Sequence, residues 1–357
     1  MTMATLAVPT AQQRAKPLPR PALAGIALGL GLALSILLNL MLGAVPVPAA
    51  QVSAALIPGF DADPAAAMVV RDIRLPRLLA ALAVGAALAV SGAALQALFR
   101  NPLADPGLLG VSTGAALGAA LWLVAGAGLA AAVGPALAPF GLPLASFAGA
   151  LAAIGLVIGL GSRAGPSATI LMLLVGIGVN ALGGAVIGLI TYISTDAQLR
   201  ALSVWLLGTL AQVEWVVLGP ALAIVSLTAI GLLRTARLLD LLALGEDGAR
   251  HLGVDVPRLR LLLAVQTAMA VGAAVSVAGI IGFVGLVVPH MLRLLVGPGH
   301  RSLLPLVAMG GALAVSIADL LARLVALPAE VPVGVVMACV GAPAFLWVLL
   351  GTWRRIG

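Results

Sequence analysis

The sequence predicts an all-α polytopic membrane protein of about ten transmembrane helices, with both termini on the cytoplasmic side. Three observations carry this. Hydrophobic residues make up 62% of the chain and charged residues 9%, where a soluble protein carries about 25% charged residues. Apolar runs of membrane-spanning length recur along the chain, separated by short polar connectors. Basic residues concentrate in alternate connectors.

The first element follows Arg14, Lys16 and Arg20 and runs from Pro21 to about Val45. A cleaved leader has an apolar core of about 7–15 residues; this run is longer, so it is expected to stay as the first span. Residues 1–20 then form a cytoplasmic tail, 21–353 one transmembrane domain, and 354–357 a second tail. Further apolar segments cover 75–98, 109–132, 143–161, 168–191, 214–234, 259–280, 284–296, 304–326 and 332–351. Segment 284–296 is too short to cross a hydrocarbon core of about 30 Å. It is expected to be a half-helix shielded by protein, because broken backbone is tolerated at membrane depth only there.

Alternation from an inside N-terminus puts fourteen of the nineteen basic residues in the cytoplasm, as the positive-inside rule requires. Arg71, Arg74, Arg77, Arg200 and Arg323 are left outside, against the rule. The pI of about 11.3 is thus a topology signal, and nucleic acid is not an expected partner. A single cysteine, Cys339, excludes an internal disulfide and a thiolate metal cluster.

Gly110, Gly114 and Gly118 stand four apart, as do Gly176, Asn180, Gly184 and Gly188. Small residues at this spacing let helices approach closely in lipid; a smooth wall for a bulky solute is the other reading, and the pattern leaves both open. Between 75–98 and 109–132 lies Arg100-Asn101-Pro102-Leu103-Ala104-Asp105-Pro106, a polar loop stiffened by proline. Between the sixth and seventh spans, Gly245 and Gly253 bracket a short charged helix and Pro257 can open the next. Glu246 and Arg250 are four apart and can pair. This island is either an interfacial connector or a docking helix for a cytoplasmic partner. His290 stands alone on the half-helix, so its ordinary role is to orient neighbours rather than to bind a metal. No nucleotide-binding GxxxxGK[ST] loop exists, since the only lysine is Lys16.

Four motifs in order, RLPR through NPLADPGLLG, GEDGARHLG, AGIIGFVGLVVPHMLR and PAEVPVGVVMACVGAPAFLWVLL, resemble the FecCD-type permeases. These are the ten-helix membrane subunits of bacterial ABC importers for iron-siderophores, haem and vitamin B12. Segment 180–210 is most similar to the haem branch. The resemblance implies a type II ABC importer permease fold in the bacterial inner membrane. It implies a homodimer, two cytoplasmic ATPase subunits that hold the ATP, and a periplasmic substrate-binding protein that delivers the solute. It implies no catalysis by this chain and no resident cofactor or metal, with haem as the transported solute. Leu244, Gly245, Glu246, Asp247, Ala249, Arg250 and Gly253, within the island at 240–253, match the family's ATPase-coupling helix. Arg74, Arg77 and Arg323 match residues that meet the binding protein. Asn101 and Leu103 match the cytoplasmic gate, with Gly165, Pro166, Ser167 and Ala168 as a second constriction. Asp319, four residues before Arg323, is expected to hold it by pairing rather than to relay protons. Tyr192, Trp205 and Met172 are conceivable pathway contacts, with packing or lipid contact the plainer reading of each. A rival class is an ion-gradient-driven secondary transporter, which needs acidic residues at mid-membrane; only Asp319 falls within a span. An export or assembly scaffold is a third class, disfavoured by the outside arginines.

Overall fold

A computed structural model describes residues 20–57, 59–134, 136–161, 163 and 168–353. Among these residues the regular structure is helical throughout. The helices are α1 (Arg20–Met41), α2 (Ala49–Leu56), α3 (Pro64–Met68), α4 (Leu75–Leu98), α5 (Val111–Val133), α6 (Gly141–Gly161), α7 (Ala168–Ile193) and α8 (Asp196–Leu206). They continue as α9 (Trp215–Arg234), α10 (Ala236–Leu242), α11 (Glu246–His251), α12 (Val256–Ala278), α13 (Val284–Val296), α14 (His300–Leu324) and α15 (Val333–Trp353). Seven helical stretches are long and apolar enough to cross a membrane, and three apolar helices are shorter.

The hub is α4. It packs against α14, α12, α13, α9 and α1 and is buried along nearly its whole length. Glycine makes this possible. A Cβ on Gly85 would collide with the carbonyl oxygen of Gly311 in α14, and one on Gly311 with that of Gly85. One helical stretch further along, a Cβ on Gly92 would strike the carbonyl of Gly285 in α13. Backbone meets backbone at these points, so dispersion contacts form without side-chain ordering.

The two glycine rows differ in what covers them. Gly114 and Gly149 oppose each other across α5 and α6, Gly118 lies on the carbonyl of Ala145, and a Cβ on Gly110 would sit 2.6 Å from Val179 Cγ1. That row is a packing seam. In α7, Gly176 lies against Leu108 and Asn180 bonds Thr113 Oγ1 at 2.6 Å and the carbonyl of Gly107 at 2.9 Å. Gly184 and Gly188, in contrast, have nothing within 4 Å of an added Cβ, so this part of α7 is uncovered by the described residues.

The half-helix is present as α13, thirteen residues long, which spans ~20 Å at 1.5 Å per residue. Residues 279–283 before it leave helical geometry, with φ 66° at Gly279 and 67° at Phe283. Protein covers this irregular stretch: Thr209 N–H donates to Ala278 O at 2.8 Å, and Gly334 lies against the carbonyls of Leu207 and Ile280.

Candidate functional site

At the end that the charge rule places outside, residues from α1, α4 and α14 converge. Arg77 is 6% exposed, and its Nε donates to Asp319 at 2.9 Å. Its Nη1 reaches Glu330 at 2.8 Å. Arg323 Nε lies 3.4 Å from the other Asp319 oxygen, and its terminal nitrogens donate to Asn39 and to Leu42 O. Arg74 donates to the carbonyls of Leu40, at 2.6 Å, and Val45. Asn39 in turn donates to Ser316 O at 3.1 Å, and Ser35 bonds Ser316 through their hydroxyls at 2.8 Å. Desolvated charges persist when paired or hydrogen-bonded: Arg77 and Arg323 share the Asp319 carboxylate, and Arg74 is held by backbone carbonyls alone.

These are the three arginines that the resemblance matches to binding-protein contacts, and here they have partners within the chain. Arg74, Arg77 and Arg323 do not project from the chain as a free basic patch. They are buried and turned inward, because the backbone carbonyls that close α1 and the carboxylate of Asp319 satisfy them better than water at a helix flank. Asp319 pairs more closely with Arg77, across two helices, than with Arg323 on its own helix. Arg71, by contrast, is exposed next to this cluster, with its Nε on Ala55 O. Arg200 is exposed on α8, whose start is fixed by a capping box of Thr195 and Gln198.

At the opposite end lies the charged island. Gly245 takes φ 104° and starts α11, and Gly253 takes φ 84° after its end, conformations that favour glycine. Leu244 and Asp247 are exposed and Ala249 is buried beneath them. Glu246 binds Arg250 at 3.2 Å along the helix and Arg260 of α12 at 2.8 Å. Sequence spacing pointed to Arg250 alone; Arg260, nearly buried, ties the island to the membrane-embedded α12. A second tie was missed in the same way: His300 at the start of α14 bonds Asp240 of α10 at 2.8 Å through both its backbone N–H and its ring.

The polar loop 101–105 follows Arg100, which lines a cavity with Gly245 and Glu246 of the island. Asn101 Oδ1 accepts from Leu103 N–H at 2.9 Å, and Asp105 Oδ1 accepts from Gly107 N–H at 2.8 Å. Leu103 is exposed and Ala104 buried. Burial raises the Asp105 carboxyl above its ordinary pKa, partly opposed by the Gly107 hydrogen bond. Arg100 ends α4 with φ 48°, a left-handed conformation that costs a non-glycine residue about 1 kcal/mol. Gly165, Pro166 and Ser167 lie outside the described residues; Ala168, which follows them, is buried at the start of α7.

Met172 and Trp205 are buried packing residues, while Tyr192 is 88% exposed. His290 Nδ1 is buried without a hydrogen-bond partner among the described residues. No group of three His, Cys, Asp or Glu able to hold a metal occurs among them either. An apolar cavity of about 750 Å³ lies between α5, α6 and α7, lined by Thr113, Trp122, Ala152 and Val186 among others.

Comparison with known proteins agrees with this architecture. The profile of the FecCD transport family matches residues 31–351. The chain is 48% identical over 279 residues to the hemin transport system permease protein HmuU of Yersinia pestis, covering 78% of this chain and 82% of that protein. It is 42% identical over 307 residues to the cobalamin import system permease protein BtuC of Halobacterium salinarum, covering 86% and 80%. Among solved structures, an inward-facing conformation of a transporter described as metal-chelate type ABC superposes with TM-score 0.80 and 31% identity, over 93% of this chain and 99% of that one.

Proposed function

The chain belongs to the FecCD transport family, and from that premise we propose that it is the permease subunit of an ATP-driven importer carrying haem from periplasm to cytoplasm. The subunit is a multi-pass membrane protein and is not itself an enzyme; ATP is hydrolysed by a separate subunit. The observation that carries the haem reading is the 48% identity to the hemin permease, above the 42% shared with the cobalamin permease. A ferric-siderophore or vitamin B12 cargo is the second reading, and vitamin B12 is favoured within it by the longer stretch, 307 residues, aligned with the cobalamin permease.

In this reading two copies enclose a pathway in the bacterial inner membrane, both tails lie in the cytoplasm, and residues 21–353 act as one permease domain. A cytoplasmic ATPase subunit seats on α11 through Leu244, Gly245, Glu246, Asp247, Ala249, Arg250 and Gly253. Exposure of Leu244 and Asp247 supports this, as does the Glu246–Arg260 pair, which ties α11 to α12. Asn101 and Leu103, with residues 165–168, form the cytoplasmic gate. A binding protein docks at the outer rim, whose shape the buried Arg74, Arg77 and Arg323 hold while exposed groups such as Arg71 make contact. Transport is alternating access between two states of this bundle.

The test uses vesicles containing this chain with its ATPase and its binding protein. Haem accumulation that requires ATP, and is not competed by excess cobalamin, is the expected result. Uptake of cobalamin with no haem uptake overturns the cargo. Uptake that an uncoupler abolishes while ATP stays high overturns the importer reading in favour of a gradient-driven transporter.

A further inference from the structure

We propose that Arg100 is the positioning residue that passes displacement of the α11 helix to the gate loop; the proposal rests on the importer reading above. Arg100 occupies a strained place. It follows the last turn of α4, its N–H bonds Ala97 O at 3.2 Å, and the next N–H, of Asn101, bonds Gln96 O at 3.1 Å. That pair of bonds closes a helix through a left-handed residue, a position where glycine is the ordinary occupant. An arginine there, at φ 48°, costs stability that glycine would not, and strain held at one residue points to a use for its side chain.

The side chain's surroundings supply the use. A Cβ built on Gly245, the first residue before α11, would lie 3.8 Å from Arg100 Nη1. Arg100 also lines a cavity of about 500 Å³ together with Gly245, Glu246 and Arg250 of the island. Thr169 and Ile170, at the start of α7, form another wall. One void is therefore bounded by the base of the gate loop, by the helix assigned to the ATPase, and by the residues just after the second constriction.

The mechanics follow from what is fixed and what is free. α4 is anchored by its glycine contacts and by Gln96, which donates to Gly285 O at 3.0 Å and accepts from Arg293 at 3.0 Å. Residues 101–105 are braced internally by the Asn101 and Asp105 turns. Between a fixed helix and a braced loop, rotation concentrates at the residue joining them. A moving α11 needs empty volume to enter, and the cavity provides it. As α11 closes, it meets the Arg100 guanidinium, and the loop turns about the Arg100 backbone.

The experiment compares R100G, R100K and wild type in vesicles holding the complete transporter, reading solute uptake, ATP hydrolysis and thermal unfolding together. R100G is expected to lower uptake per ATP hydrolysed about tenfold, within the range by which single residues along a coupling route act. Hydrolysis itself persists, and the unfolding midpoint does not fall, because glycine adopts this φ freely. R100K, with a cation on the same strained backbone, restores most of the uptake. Wild-type uptake per ATP in R100G overturns the proposal, since Arg100 would then be only a cap. Should R100G not assemble, R100Q takes its place, and undiminished uptake per ATP in that variant refutes the proposal equally. Wild-type vesicles that accumulate nothing on ATP addition refute instead the importer reading beneath it.

Discussion

Replacing Asp319 by asparagine tests whether the outer arginines are structural. Asp319 is fully buried and faces Arg77 at 2.9 Å and Arg323 at 3.4 Å. With Arg74 and Glu330 the cluster holds three positive and two negative groups; Asp319→Asn leaves three against one. Two unit charges at about 4 Å interact by about 4 kcal/mol at an effective dielectric of 20, and breaking one side of a buried pair costs about 3–5 kcal/mol. Asparagine keeps an acceptor for Arg77, so the lower figure, about 3 kcal/mol, is expected. At about 2 °C per kcal/mol for a large chain, that is a fall of roughly 6 °C in unfolding midpoint. The assay is tryptophan fluorescence on heating in detergent, with Glu330→Gln as the control. The Glu330 side chain is 39% exposed, so its loss should cost under about 1 kcal/mol. A D319N midpoint equal to wild type would refute the argument, because it would mean that the guanidiniums are solvated and free to meet another protein.

Three further outcomes are expected. Gly92→Ala forces a methyl into the carbonyl of Gly285 and should destabilise by about 1–3 kcal/mol, whereas Gly188→Ala, with open space around it, should gain up to about 1 kcal/mol; thermal unfolding of both distinguishes them. Asp105 has a raised pKa when folded, so the folded state holds its proton more tightly than the unfolded chain. Its contribution to stability therefore rises as pH falls from the folded toward the unfolded pKa and is unfavourable at neutral pH; D105N should unfold later at pH 7 and show a flatter midpoint against pH. Glu246→Gln removes the charge partner of the nearly buried Arg260, and ATPase binding to the permease, read by co-purification, should weaken.

Much of the fold was legible because its signals are local. The predicted segment 284–296 coincides with α13, since length alone decides whether a run can cross lipid. Gly245 and Gly253 marked the ends of α11 because positive φ leaves a glycine signature in the sequence. The short outer helices α2, α3 and α8 were not anticipated: they are too brief and mixed in character to give a period. Partnerships between distant residues were also hidden. Spacing pairs Asp319 with Arg323, whereas its closest partner, Arg77, is 242 positions away. Arg260 and His300 were invisible for the same reason, because which helix faces which is settled by packing rather than by any stretch of sequence. The glycine rows had a legible period but no legible partner, and only the neighbours show that Gly114 is clamped while Gly188 is open.

The thirteen-residue α13 bears on how the chain is made. A segment this short is a weak candidate for entering lipid by itself during synthesis. Its preceding bend packs against Gly334, which lies in α15 and leaves the ribosome later. The stretch is therefore fully enclosed only once the C-terminal part has been made. Truncations ending before residue 334 should accordingly be caught by quality-control proteases, even though most of the helices have already been made.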